Sequence, residues 1–360
     1  MPKLRNIIED LASDCLNSAL NMRYDICTCS VCKNDMLAHV LSHVPAKYVT
    51  TEQGALHTVI QQSRIEYQAE IARAVIEAID LISKNPRHEQ KEDRHKTFQL
   101  LLDKIKDDRG LDFRHYHQEL LKRRVAIRMR VTGIDSYSSY LRLLFNTPEE
   151  YDKLFEVLCI NVSEFLRDPE VWVKLRSVFD EMLRAKTRAQ EKSFKIWSAG
   201  CANGEEPHTL AIIMKEMLQA EIINFTVDIN ATDVDKKSLA LATKGVYGKE
   251  ALKNVEKKIM ARYFECQGSD FCVNSDVRKL INCRYLDLTS QDYISDCDIV
   301  FCRNVFIYFD RSLQEQLLMK FYKALKPGGY LVMGKSETLI REAKEIFEEV
   351  DFDSRLYRRK

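Results

Sequence analysis

The run Phe194-Lys195-Ile196-Trp197-Ser198-Ala199-Gly200-Cys201-Ala202-Asn203-Gly204-Glu205-Glu206-Pro207 decides how this chain is read. A β-rich stretch ends in a glycine-bearing turn, and an amphipathic stretch with a proline suited to a first helical turn begins at once. The pattern then repeats. FTVDINATD over 225–233, CDIVFCRN over 297–304 and GYLVMG over 329–334 are β-rich runs separated by helical stretches. That alternation predicts an α/β domain, a doubly wound Rossmann-like sheet, over about residues 159–360. Between Gly248 and Leu288 the rhythm breaks, and YFECQ, DFCVN and NCRYLDL read as the strands of a small antiparallel β insertion, about residues 251–285.

In open α/β sheets ligands bind at the carboxyl ends of the strands. Gly200 and Gly204 let the backbone approach a ligand there, but their spacing is not the G-x-G-x-x-G of dinucleotide sites. Glu205 and Glu206 at the mouth repel a pyrophosphate and favour an ammonium or sulfonium charge, as in S-adenosylmethionine. The competing reading is a plain strand-to-helix turn whose acids suit the helix dipole. Asp233 closes the next strand, where an acid accepts hydrogen bonds from ribose hydroxyls, while Asp235 reads as the N-cap of the following helix. Asp287, Leu288, Arg303 and Asn304 end two further strands and are candidates for the adenine and methionine ends of such a ligand.

The 360 residues leave room for two or three domains of roughly 100 to 200 residues each. Hydrophobic residues at 45% and charged at 30% exclude a disordered chain, and a formal charge of +1 argues against one built to coat a nucleic-acid polymer. The opening residues MPKLRNIIEDLASDC carry acids where a signal core would be apolar. No apolar run approaches the roughly 18 residues of a membrane span. The expectation is a cytoplasmic protein without membrane insertion, its eleven cysteines reduced.

Apolar residues at three- and four-residue spacing make residues 1–88 mostly helical, and SKNPRHEQKEDRHK, with no such period, marks a linker and a boundary near 88–95. The helical period resumes over about 95–158. Within that unit, Lys122 to Arg130 puts Arg124 and Arg128 on one helix face with Arg123 and Arg130 flanking it. Such a stripe suits docking of an acidic helix, although basic runs are commonly just solvated faces. Cys27, Cys29 and Cys32 pack three thiols into six residues, a metal-ligand spacing one group short of a structural zinc site. Cys15, His39, His43 or His57 are the candidates for a fourth ligand; three buried packing cysteines are the alternative.

Taken together, SAGCANGEEPHTLA, ATDVDKKSLALATKGVYG, FCRNVFIYFDRSLQEQLLMKFYKALKPGGYLVMGKSETL and NVSEFLRDPEVW resemble, in order, the motifs of CheR, the S-adenosylmethionine-dependent glutamate methyltransferases of bacterial chemotaxis, over about residues 95–360. The resemblance implies transfer of a methyl group to chemoreceptor glutamates, with the basic helical domain docking chemoreceptor cytoplasmic helices. It implies cofactor contacts from Asn161, Ser163, Arg167, Glu205, Asp233, Asp287, Leu288, Arg303 and Asn304, and a reaction centre at Arg167 and Tyr308. Leu166 replaces the family's usual aromatic and puts a stacking role there in doubt. Without the resemblance, Arg167 reads as a surface partner of Asp168 and Tyr308 as a core residue. The short loop ECQGSDF in the insertion suggests a form independent of a receptor tether.

Likewise CTCSVCKNDMLAHVLSHVPAKYVTTEQG resembles the late competence ComFB domain over about residues 1–85. That resemblance implies zinc at the cysteine cluster and recognition of a cyclic dinucleotide, although no phosphate-cradling motif is present. Two rivals remain. A nucleic-acid methyltransferase would carry an Asn/Asp-Pro-Pro-aromatic or Pro-Cys motif, and the chain has neither. A non-catalytic signalling module that binds S-adenosylmethionine or a dinucleotide has the Leu166 departure in its favour.

Overall fold

The computed structural model describes residues 4–23, 26–51, 53, 65–84, 94–159, 161, 163–219, 222 and 225–360. The chain divides into two compact units: Met1–Ile105 with Glu119–Val157, and Lys106–Gln118 with Leu158–Lys360.

The first unit is helical. Its N-terminal part pairs β1 (Arg5–Asn6) with β2 (Tyr48–Val49) in antiparallel register. Helices Ile7–Met22, Ser30–His43 and Ile65–Lys84 follow the expected period. Ile8, Ala12, Leu16 and Leu20 of the first meet Met36 and Val40 of the second and Ile71, Val75 and Ile79 of the third in one apolar core. Asn6 ties helix to strand: its side-chain oxygen accepts from Ile8 N at 3.2 Å as the N-cap and from Lys47 N at 3.0 Å. The central stretch of the expected linker, residues 85–93, lies outside the described residues, as does His57.

Helices Arg94–Arg109, Gln118–Thr132, Tyr137–Asn146 and Glu149–Leu158 come next. Along Gln118–Thr132 the residues Leu121, Val125 and Met129 are buried, and here the expected docking stripe needs correction. The Arg128 side chain is only 13% exposed and grips Glu150 with two hydrogen bonds, Nε to Oε1 at 2.5 Å and Nη2 to Oε2 at 2.7 Å. The Tyr140 hydroxyl donates to the same carboxylate at 2.9 Å. Arg128 is thus the counter-charge of a buried acid, while Arg123 and Arg130 are exposed and Arg124 half-exposed.

In the second unit a seven-stranded sheet runs β11-β12-β10-β9-β3-β4-β8. It is built from β3 (Ser193–Ala199), β4 (Thr226–Asp233), β8 (Ile281–Tyr285), β9 (Cys297–Cys302), β10 (Leu325–Met333), β11 (Phe347–Asp351) and β12 (Leu356–Arg359). The strands from β10 to β8 are parallel, and β12 joins antiparallel to both β10 and β11. Strand β9 is buried at every position, as expected where helices cover both faces. One face packs Phe194, Ile196, Ile229 and Phe301 against helices Pro169–Arg188 and Glu205–Leu218; the other packs Trp197, Val300 and Leu331 against Arg311–Ala324. The chain leaves β3 first to one side (β4, β8) and then to the other (β9, β10), so β3 and β9 form the topological switch point.

The insertion is a three-stranded antiparallel sheet, β5 (Val246–Tyr247), β7 (Asp270–Val273) and β6 (Phe264–Gln267), whose β6–β7 turn is the pair Gly268-Ser269. NCRYLDL is not part of it. That run contributes β8, parallel to β4 at the edge of the main sheet, with Ile281 and Cys283 packed beside Ala231 and Leu239.

Candidate active site

At the carboxyl end of β3 the chain turns within five residues. Gly200 N and Cys201 N both donate to Thr232 O, at 2.8 and 3.0 Å, which ties the turn to the end of β4. Gly200 (φ +76°) has no room for a side chain, since a Cβ would lie 2.6 Å from Val305 Cγ2. Gly204 (φ +95°) caps the Glu205–Leu218 helix, and a Cβ there would lie 2.6 Å from that of Ala242 and 2.9 Å from the Tyr247 hydroxyl. The glycines serve close packing as much as ligand approach.

Asp233 braces this turn from below. Its Oδ2 accepts from Ala202 N at 2.8 Å and its Oδ1 from Asp235 N at 2.9 Å, which leaves each oxygen a further lone pair for a hydroxyl. Burial pushes its carboxyl up, and the backbone donors oppose that. Asp235 caps the Lys236–Lys244 helix through Lys237 N at 2.9 Å and also holds Asn161 Nδ2 at 2.6 Å.

One cavity gathers most of the expected residues. Asn161, Ser163, Arg167 and Asp233 line it, and so do Asp287, Leu288, Arg303, Asn304 and Tyr308. Glu205 does not, which corrects that assignment: the acid on the wall is Glu206. Successive residues of a helix point about 100° apart, so only one of the pair can face the strand tips. The Glu206 carboxylate takes Ser198 Oγ at 2.7 Å and lies 3.7 Å from Arg303 Nη1. Glu205 is turned inward, 3% exposed, hydrogen-bonded by Ser163 and with Oε2 unpartnered; burial pushes its carboxyl up to about 7. Its side chain meets the cavity wall at Ser163.

Arg167 sits on a strained hook. Leu166 and Asp168 on either side have φ of +53° and +56°, a region costly for side-chain-bearing residues. The hook is pinned from several directions. Leu166 N donates to Thr209 Oγ1 at 3.3 Å and Trp172 Nε1 to Arg167 O at 2.8 Å. Arg303 Nη2 reaches Arg167 O at 3.1 Å and Asp168 Oδ2 at 2.6 Å, its guanidinium over the Trp172 ring. Arg303 therefore holds Arg167 in place from the cavity wall. Leu166 packs on the core, and the aromatic at this corner is Phe165, edge-on to Tyr247 at 4.8 Å.

Several residues here were not anticipated. Glu337, 4% exposed, accepts from Asn304 N, Phe306 N and Gly334 N and so fixes the turn that carries Asn304 and Tyr308. Lys320 donates to Leu288 O and Ser290 O, holding the Asp287 loop. Phe113 and Tyr116 also line the cavity, from an irregular segment between two helices.

The cavity suits a cationic nucleoside ligand. Burial pushes both Glu206 and Asp233 up, opposed at Glu206 chiefly by the Arg303 charge and at Asp233 by backbone donors. Asn304 Oδ1 is buried without a partner. In the other unit, the sulfurs of Cys27, Cys29 and Cys32 lie within 4.8 Å of one another, and among the described residues no fourth His, Cys, Asp or Glu joins them. Cys15 stands outside that cluster, and His39 and His43 stack on each other at 4.1 Å.

A mostly parallel sheet with its cavity at the β3–β9 switch point, an acid ending the second strand and further acids in place of a phosphate loop define a Rossmann-like methyltransferase. The chain belongs to the CheR family. Residues 161–356, more than half its length, match the CheR methyltransferase S-adenosylmethionine-binding domain, and residues 96–159 match the CheR all-alpha domain. Residues 5–86 match the late competence development protein ComFB. The chemotaxis protein methyltransferase of Borreliella burgdorferi is 30% identical over 236 residues, 64% of this chain and 83% of that one. The probable chemotaxis protein methyltransferase of Rhizobium etli is 30% identical over 262 residues, 70% of this chain and 96% of that one. The solved late competence protein ComFB of Bacillus subtilis is 24% identical, covers 25% of this chain and 99% of that one, and superposes with a TM-score of 0.23, too low to bear on shape. Among the described residues no helix is long and apolar enough to cross a membrane.

Proposed function

We propose that this chain methylates glutamate side-chain carboxylates on the cytoplasmic helices of chemoreceptors. The observation that carries the reading is the union, on one cavity, of the acids Glu206 and Asp233 with Arg167 and Tyr308. S-adenosylmethionine, when bound, supplies an electrophilic methyl group whose bonding pair returns to sulfur as a carboxylate oxygen forms the new C–O bond. The nucleophile is already ionised, so no general base is needed, and the residues have to orient and to exclude water. Asp233 holds ribose hydroxyls, Arg167 grips the incoming carboxylate through its forked N–H groups, and Tyr308 donates a hydroxyl to it.

The test is transfer of labelled methyl from S-adenosylmethionine to receptor cytoplasmic fragments. Label released by mild alkali, as a glutamyl methyl ester requires, supports the reading. Binding of the cofactor with no transfer to any receptor fragment would sink it in favour of a non-catalytic module.

The exposed Arg123 and Arg130, with Arg124 beside them, are proposed to dock the receptor helices. Reversing charge at Arg124 together with Arg123 should slow receptor methylation and leave cofactor affinity unchanged; an unaltered methylation rate contradicts the docking role.

The ComFB-type module is proposed as a regulatory input. Its three sulfurs fit one metal, since zinc bonds of about 2.3 Å hold thiolates about 3.8 Å apart. Metal analysis of the purified protein, before and after Cys29→Ser, tests zinc. Calorimetric titration with the common cyclic dinucleotides, followed by methylation assays in their presence, tests the ligand; no heat with any of them removes it.

A further inference from the structure

Residues Lys106–Gln118 fall inside the stretch that matches the CheR all-alpha domain, yet they belong to the same compact unit as the sheet. The segment is clipped to the loop after β9. Tyr116 bridges Phe309 in antiparallel fashion, Asp310 N donates to His115 O at 2.8 Å and His117 N to Tyr308 O at 2.8 Å. The Tyr116 ring is fixed edge-on between Phe113 and Phe309, both at 4.9 Å between centroids. It lines the cavity beside Leu286, Asp287 and Leu288. Burial, and after it the charge of Asp287, holds the phenol in its neutral form, and the ring shares the cavity lining with Asp233 and Asp287.

We propose that Tyr116 is a nucleoside-binding residue that covers the purine and ribose of the methyl donor, on a clasp formed by Phe113, Tyr116 and Phe309. This rests on the reading of the cavity as an S-adenosylmethionine site. An aromatic ring already locked by two neighbours loses little freedom when a base packs against it, and such contacts are strong and indifferent to the far end of the ligand. Every π-face accepts the base, so the hydroxyl is dispensable and the ring is not.

The experiment uses the full chain and its variants Tyr116→Phe, Tyr116→Ala and the volume-conserving Tyr116→Leu. Affinity is read calorimetrically with S-adenosylhomocysteine and with 5′-methylthioadenosine, which lacks the amino-acid end. Loss of the ring should weaken both ligands by the same factor, about tenfold or more, with Tyr116→Phe within about twofold of the parent. KM for S-adenosylmethionine should rise by a like factor while kcat at saturation stays within about threefold. A merely structural role would lower the active fraction and leave the dissociation constants alone, and that result overturns the proposal. So does a loss confined to S-adenosylhomocysteine, which would put the ring on the amino-acid end. Should the parent chain bind neither nucleoside, the cofactor reading falls first and this inference with it. If Tyr116→Ala does not fold, Tyr116→Leu carries the same comparison.

Discussion

Glu337 accepts a hydrogen bond from Asn304 N at 3.0 Å across 33 residues of chain, and the same carboxylate binds Phe306 N at 2.8 Å. Asn304 has a left-handed backbone, φ +61°, so the turn between β9 and its helix depends on an outside acceptor. Glu337→Gln replaces one acceptor oxygen with a donor that faces backbone N–H groups. Hydrogen bonds to charged groups contribute about 1.5–3 kcal/mol each, so the variant should lose roughly that much stability and bind S-adenosylhomocysteine about tenfold to a hundredfold more weakly. Calorimetry and urea denaturation check both; parent-like affinity would show that the turn holds without Glu337.

Glu205 makes stability depend on pH. Its carboxyl, at 4.5 in the unfolded chain, rises to about 7 on burial. The folded state therefore binds the proton more tightly, and its advantage is complete below about pH 4.5 and lost as pH climbs toward about 7. The loss is on the order of 3 kcal/mol. Glu205→Gln should remove this contribution, flattening the decline in unfolding free energy across that window. An unchanged slope would mean that the acid gains a partner when it ionises.

Arg128 separates packing from docking. Removing the guanidinium leaves Glu150, 4% exposed, with the Tyr140 hydroxyl and the more distant Lys153 charge among the described residues. Arg128→Ala should destabilise the chain by about 3–5 kcal/mol, the usual result of stranding a buried charge. Reversing Arg123 should cost less than about 1 kcal/mol. Comparison of their denaturation midpoints decides the point.

At the opposite ends of the strands lies a charge network remote from the chemistry. Lys186 Nζ reaches Asp298 Oδ1 at 2.8 Å and Glu191 Oε1 at 2.6 Å, and Lys326 approaches the same two acids at 3.1 and 2.8 Å. Asp298 also accepts Lys195 N at 2.7 Å, locking β3 to β9. Lys186→Ala should cost about 3 kcal/mol, the lower end for a broken buried pair because Lys326 remains, with no change in cofactor affinity. Weakened cofactor binding at temperatures where the variant is folded would show that the network reaches the site.

The alternation of β-rich and amphipathic runs was enough to place β3, β4, β9 and β10 and to set the cavity at their ends, because buried parallel strands read as continuous apolar stretches. Asp233 was legible as well, as an acid closing the second strand at the sheet's ligand-binding end. Strand β8 was not: its exposed edge reads the same in an insertion as beside β4, and its parallel pairing with β4 separates the two.

Sequence by itself determined the class of fold, the turn Gly200–Gly204 and the identity of the charged residues near it, all of them properties of neighbours along the chain. Tertiary structure alone decided that Glu206 rather than Glu205 faces the cavity, that Arg128 serves Glu150, and that Arg303 secures Asp168 across 135 residues. It also brought Tyr116 and Glu337 to the strand tips. The physical reason is that a side chain's role follows from the partner its burial forces on it, and these partners come together only when the sheet has closed.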